Sequence, residues 1–216
     1  MTEYASTGHL DGDIAVDQYL QRVLDVLDQL ERGEPVDARS LHQQLVTFLR
    51  DTGFSVVDPQ AWRTSAYALA AWTDELLLET PWDGRHDWNE RVLEVELYGT
   101  RVSSERFFQL AQEVASRPQH PSLRVFYLCV LLGYRGIYAR GDAATAAAFG
   151  LPATLSQWMI ETRSRLRMHQ AMPLPSVPYR QVKGAPPLDD RRRLVWWSVA
   201  AAALVAANVT TYSLFH

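Results

Sequence analysis

Residues 58–80 read DPQAWRTSAYALAAWTDELLLET. Asp58 followed by Pro59 is an N-cap and a first-turn proline, and Pro81 stops the helix they open. Trp62, Ala66, Leu69, Ala70, Thr73, Leu76 and Leu77 fall on one face at helical spacing, while Tyr67, Ala71 and Leu78 line much of the other. Only a narrow strip with Glu75 and Glu79 is polar. A surface helix carries one apolar stripe, so a helix apolar on both sides predicts the central element of a bundle.

The neighbouring segments supply the partners. Upstream, Tyr19, Leu20, Val23, Leu24, Leu27 and Leu30 recur at helical spacing and predict a helix over 17–32, ended by Gly33 and Pro35. Asp37 caps a second, which uses Leu41, Leu45, Phe48 and Leu49 and stops at Gly53. Downstream, a loop with Gly84 leads to a fourth helix over 87–97. A turn at Tyr98-Gly99-Thr100 follows, with Ser103 as the cap of a fifth helix carrying Phe107, Phe108, Leu110, Ala111 and Val114. A sixth, strongly apolar helix follows the break at Pro118 and Pro121 and covers 122–133, with 138 as an alternative end. The alanine-rich run 141–150 reads equally as short helix or loop. A last helix over 155–169 ends basic, with Arg163, Arg165 and Arg167. No segment has strand periodicity, so the class is all-α.

From 171 to 190 the chain holds five prolines and no apolar period, which reads as a spacer. Behind Arg191, Arg192 and Arg193 runs LVWWSVAAAALVAANVTTYSLF, residues 194–215, without a single charge. As a helix it measures about 33 Å, against a hydrocarbon core of about 30 Å. Trp196, Trp197 and Tyr212 sit near its ends, where amphipathic rings favour the headgroups. Six alanines with Asn208, Thr210 and Thr211 make it only moderately hydrophobic, and a buried soluble helix is the competing reading. The arginine triplet places everything before it on the cytoplasmic side of a membrane, and the C-terminus on the far side. The expected layout is a tail at 1–13, a helical domain at 14–170, a linker at 171–190, and a flank with a tail anchor at 191–216. Ser198, Ala202, Ala206 and Thr210 form an i, i+4 ladder of small residues that lets two such helices approach closely. Self-association of the span is expected, against the reading that an alanine-rich helix contains such spacing by chance.

Composition excludes other classes. Residues 1–190 hold 18 basic and 25 acidic residues, a formal charge of −7, which argues against nucleic acid as partner. One cysteine, Cys129, rules out a disulfide scaffold and reads as a buried thiol among Phe126, Tyr127, Leu128, Val130 and Leu131. The six histidines are scattered, with no metal-ligand spacing, and no phosphate loop or nucleophile elbow is present. No catalytic, metal or cofactor set is expected. Asp74 and Glu75 are adjacent carboxylates in apolar context, but on a helix they point about 100° apart and do not converge on one substrate atom. Glu75 falls on the wet strip. Asp74 reads as a group fixing the next loop, with Arg85 or Arg106 as candidate partners, or as a direct contact to another protein. Trp82 and Trp88 read as bundle packing or as an exposed docking pair.

Residues 71–112, AWTDELLLETPWDGRHDWNERVLEVELYGTRVSSERFFQLAQ, are richer in aromatics and turn residues than packing alone requires. In order come Asp74-Glu75, Thr80-Pro81-Trp82, Trp88, Thr100 and Glu105-Arg106-Phe107-Phe108, then Tyr127-x-Cys129 and Leu132-Gly133-Tyr134-x-Gly136-x-Tyr138. This succession resembles the DotU/TssL family, the tail-anchored inner-membrane subunit of type VI secretion machines, and its relative in type IVB systems. The resemblance spans about residues 15–170 in helix order. Ser103-Ser104 stands where the family usually has two glycines, and Ile137 where a basic residue is common.

The resemblance implies a non-enzymatic adaptor whose cytosolic domain of two helical bundles forms a hook. It would sit beside an IcmF/TssM-type membrane protein and dock a TssK-type baseplate subunit. Some members add a peptidoglycan-binding module after the span, and this sequence is expected to lack one. A type IVB subunit, or a tail-anchored regulator or enzyme at the membrane surface, are the alternatives.

Overall fold

The computed structural model describes residues 11–117, 121–140 and 143–170, and all regular structure in them is helical. The helices are α1 (Gly12–Glu31), α2 (Ala38–Ser55), α3 (Pro59–Glu79), α4 (Arg85–Glu90), α5 (Leu93–Tyr98), α6 (Ser103–Ala115), α7 (Leu123–Leu131), α8 (Ala143–Ala148) and α9 (Leu155–Gln170). A 3₁₀ turn, Gly136–Arg140, lies between α7 and α8. None of the described helices is long and apolar enough to cross a membrane. The charge-free run 194–215, its arginine flank, the small-residue ladder and the proline spacer lie outside the described residues.

Three N-termini follow from local sequence. Asp37 accepts from the Ser40 N–H at 2.8 Å, and Asp58 accepts from Gln60 and Ala61 with Pro59 in the first turn. Asp11 caps α1 through the Asp13 N–H, so that helix begins earlier than its apolar period suggests. α2 passes through Gly53 to Ser55.

As its two apolar faces predict, α3 is central. Every residue from Thr64 to Asp74 is buried, three turns covered on all sides. It packs against α1, α2, α4 and α5 on one hand and α6 and α7 on the other, with α9 held against α7. Ala66, Ala68, Ala70 and Ala71 allow this close approach, and large side chains fill the space around them: Trp62, Trp72, Tyr19, Phe107 and Phe126. Each large buried side chain stabilises the fold by roughly 1.5–3 kcal/mol. Polar atoms carried inward are bonded. Tyr19 Oη and Thr73 Oγ1 are 3.0 Å apart, Trp62 Nε1 donates to the Leu49 carbonyl, and Trp72 Nε1 donates to that of Leu132. One continuous cluster of buried residues runs from Ala15 in α1 to Trp158 in α9.

Two elements differ from their sequence reading. The expected helix over 87–97 is two short helices, α4 and α5, broken at Arg91 and Val92. The apolar helix that starts near 122 ends at Leu131, and Gly133 turns the chain with φ +110° before the 3₁₀ segment. In the alanine-rich run the structure selects the short helix, α8.

Candidate functional site

Both breaks lie beside the C-terminal end of α3, and three carboxylates hold them and the start of α6. Asp74 is buried at 4% exposure, and its oxygens accept from Leu93 N–H at 2.8 Å, Glu94 N–H at 2.9 Å and Trp88 Nε1 at 3.1 Å. The first two are orphan donors at the start of α5, and a carboxylate there satisfies them and complements the helix dipole. That is why a new helix starts at Leu93. The expected partners Arg85 and Arg106 are not used, and Arg106 instead pairs with Glu113 at 2.6 Å. Burial pushes the Asp74 carboxyl up to about 7, against the pull of its N–H donors.

Glu94, 2% exposed, repeats the device one helix further on. Its carboxylate accepts from Val102 N–H and Ser103 N–H at 3.0 Å each, Thr100 Oγ1 at 2.9 Å and Tyr67 Oη at 3.1 Å. These N–H groups open α6, whose N-cap is Val102, a side chain with no acceptor. Ser103 therefore is the first residue of the helix and not its cap. The sequence reading missed Glu94. Its signal was an acidic residue between Leu93 and Val95, upstream of a helix start with no good cap.

Glu75 takes the third turn. Its oxygens accept from the N–H groups of Arg135 and Gly136, the latter at 2.8 Å, so it is half-buried and not on a wet strip. Burial raises its carboxyl above the usual range, opposed by those two donors. Gly136 has φ +49°, and a Cβ there would lie 2.9 Å from the Ser104 carbonyl oxygen and 2.9 Å from Tyr134 Cε1. Asp74 and Glu75 thus diverge, one to α5 and one to the turn after α7.

Aromatic rings fill the remaining space. Trp88 is buried, and Trp82 closes the end of α3 beyond Pro81 by donating Nε1 to the Leu77 carbonyl at 2.8 Å. Their rings are 6.3 Å apart, with Trp88 inside the bundle and Trp82 half-buried against it. Phe107 and Phe108 are fully buried and meet Phe126, Tyr134, Tyr138 and Trp158 at centroid distances of 4.0–5.9 Å. Tyr134 Oη donates to the Ser103 carbonyl and Tyr138 Oη to that of Pro152, each at 2.8 Å. Glu105 accepts from Ser104 Oγ at 2.7 Å, and Gly133 lies against Leu76. Ser103 and Ser104 need no left-handed backbone, since every described residue with positive φ is a glycine. Ile137 is a core side chain.

Asp74, Glu75 and Glu94 are each committed to hydrogen bonds within the protein. Their oxygens are engaged by the protein's own N–H and O–H donors, and the described residues form no group of three His, Cys, Asp or Glu arranged to hold a metal. Cys129 is fully buried, with its thiol pushed well up by desolvation and its Sγ 3.7 Å from the Ala68 carbonyl oxygen. His42 Nε2 is a buried nitrogen without a hydrogen-bond partner, its ring edge-on to Trp88 at 5.5 Å, and burial lowers its pKa. A groove of about 1080 Å³ between α1 and α2 is walled by glutamines, aspartates and apolar side chains, with Arg22 over the Phe48 ring at 5.4 Å.

Fold and site together define an all-helical domain whose carboxylates Asp74, Glu75 and Glu94 hold its own turns. The profile of a family described as "Type VI secretion system protein DotU" matches residues 15–216. The chain belongs to this DotU family of type VI secretion proteins. Its fold is similar to that of the cytoplasmic domain of TssL from Acinetobacter baumannii, with a TM-score of 0.55 at 18% identity, covering 71% of this chain and 97% of that one. No curated protein matches the chain.

Proposed function

We propose that the chain is the tail-anchored adaptor of a type VI secretion membrane complex. Its helical domain would tether the cytosolic baseplate to the bacterial inner membrane beside an IcmF/TssM-type protein. The observation that carries this reading is the extent of the family match, which runs from the first helix through the charge-free segment 194–215. The family description names the type VI system, which supports that membership over the type IVB relative.

The mechanism is confinement. A span entering behind Arg191, Arg192 and Arg193 leaves the N-terminal domain in the cytoplasm with the C-terminus in the periplasm. The proline spacer sets the reach, and a domain held close to the bilayer meets weakly binding partners at high effective concentration. A TssK-type baseplate subunit is the cytosolic partner proposed here, on surfaces of the two helix groups that share α3. The carboxylate-fixed turns keep those surfaces in register. In a secreting host, replacing the chain by a version lacking residues 191–216 moves the domain from the membrane to the soluble fraction and abolishes secretion. Undiminished secretion from the truncated chain overturns the tethering role.

A further inference from the structure

The last described helix, α9, carries more basic than acidic residues in a mainly acidic domain. Trp158 and Thr162 are buried, and Leu155, Met159 and Leu166 are half-buried against the core. At about 100° per residue the opposite side of the helix carries Gln157, Ile160, Glu161, Ser164 and Arg167, with Arg163 on its flank. Ile160 is 70% exposed, and Arg163, Ser164 and Arg167 are exposed beside it. Among the described residues Arg163, Arg165 and Arg167 enter no ion pair. α9 holds three arginines against one glutamate, whereas residues 11–154 hold 13 arginines against 21 acidic residues. The domain is acidic overall, and α9 adds a basic, apolar-tipped face to it.

We propose that this face of α9 lies on the anionic cytoplasmic leaflet. Arg163 and Arg167 would sit among lipid phosphates and Ile160 at the acyl boundary, so that the domain is oriented on the membrane as well as tethered to it. The inference rests on the tail-anchor reading above. The charge asymmetry selects lipid as occupant, and the reach of the chain permits it. An anionic leaflet attracts the arginines and repels the acidic body, so the charge asymmetry fixes which side faces down. In addition, α9 is the described helix nearest along the chain to the expected span. The 23 residues between Gln170 and Leu194 reach at most about 80 Å, enough for α9 to lie on the surface from which the span descends. An exposed isoleucine flanked by arginines has the chemistry of an interfacial helix.

The test uses the full chain in lipid nanodiscs. Because Cys129 is the single cysteine and is buried, a cysteine placed by Ser164→Cys accepts a spin label selectively. A second chain, labelled through Leu204→Cys, reports whether the span is embedded. Each arginine near an anionic surface contributes roughly a fivefold preference, so the pair favours the surface-bound orientation about thirtyfold. In discs with phosphatidylglycerol the label at 164 should slow and be shielded from a water-soluble relaxant. It should be free in pure phosphatidylcholine discs, at about 0.5 M salt, and in an Arg163→Glu/Arg167→Glu chain. If 204 is embedded and 164 is equally aqueous in both lipids, the face is not a membrane face, and the tail-anchor reading stands. If 204 is aqueous, the anchor fails and this inference with it. Immobilisation of 164 only on adding an acidic partner protein also overturns the lipid assignment.

Discussion

Asp74 in α3 and Glu94 in α5 are joined in series: the Glu94 N–H donates to the Asp74 carboxylate at 2.9 Å, and the Glu94 carboxylate in turn accepts the N–H groups of Val102 and Ser103 at the start of α6. One buried carboxyl group begins α5, and a residue of α5 supplies the carboxyl group that begins α6. The orientation of α6 relative to α3 is thereby set by side-chain chemistry as well as by packing.

Breaking either link exposes the dependence. Asp74→Asn puts an amide where two N–H donors require an acceptor and should cost about 1–3 kcal/mol, as for buried donors left unsatisfied. Glu94→Gln should cost about 1.5–3 kcal/mol for the same reason. Urea unfolding measures both. The double variant should fall short of the sum, because residues in one network are not additive. Hydrogen exchange should accelerate at Val102 and Ser103 in both single variants, in Asp74→Asn through the displaced α5.

Asp74 also makes stability depend on pH in an unusual direction for a carboxylate. Burial holds its folded-state carboxyl near 7, above the unfolded value, so the folded chain binds the proton more tightly. The stabilisation from this group is complete at low pH and declines as pH rises from about 4 to about 7, by up to about 1.4 kcal/mol per pH unit. Subtracting the pH profile of Asp74→Asn from that of the parent chain isolates the slope, and carboxyl carbon shifts locate the midpoint.

Gly136→Ala tests the third turn. The substituted residue must hold φ +49° with its Cβ against the Ser104 carbonyl, and the N–H bonded to Glu75 must move. A loss of about 1–3 kcal/mol is expected, as for strained backbone elsewhere, with the tyrosine environment around Tyr134 changed in near-ultraviolet circular dichroism.

Within the expected span, Ala202→Leu with Ala206→Leu should weaken self-association in a membrane two-hybrid assay, since small residues let helices approach. Unchanged signal removes the ladder as an interface.

Much of this architecture was readable because its causes are local. Asp37 and Asp58 accept from donors two or three residues away, Pro59 fits the first turn, and the burial of α3 follows from its composition on both faces. The breaks were not readable because their causes are remote. The start of α5 is fixed from 19 residues upstream by Asp74, and Arg135 and Gly136 are fixed from about 60 residues upstream by Glu75. For the same reason Glu75 read as wet and Glu94 went unnoticed. Helical periodicity identifies which residues face inward, but not which inward carboxylate meets which orphan N–H.

The tethering account is tested most directly by extracting the full chain from its own membranes in mild detergent and measuring what comes with it. The account predicts stoichiometric recovery of the large IcmF/TssM-type membrane protein, with the baseplate subunit retained after crosslinking. Recovery of this chain alone and monomeric, from cells whose secretion is unaffected by its deletion, would contradict it.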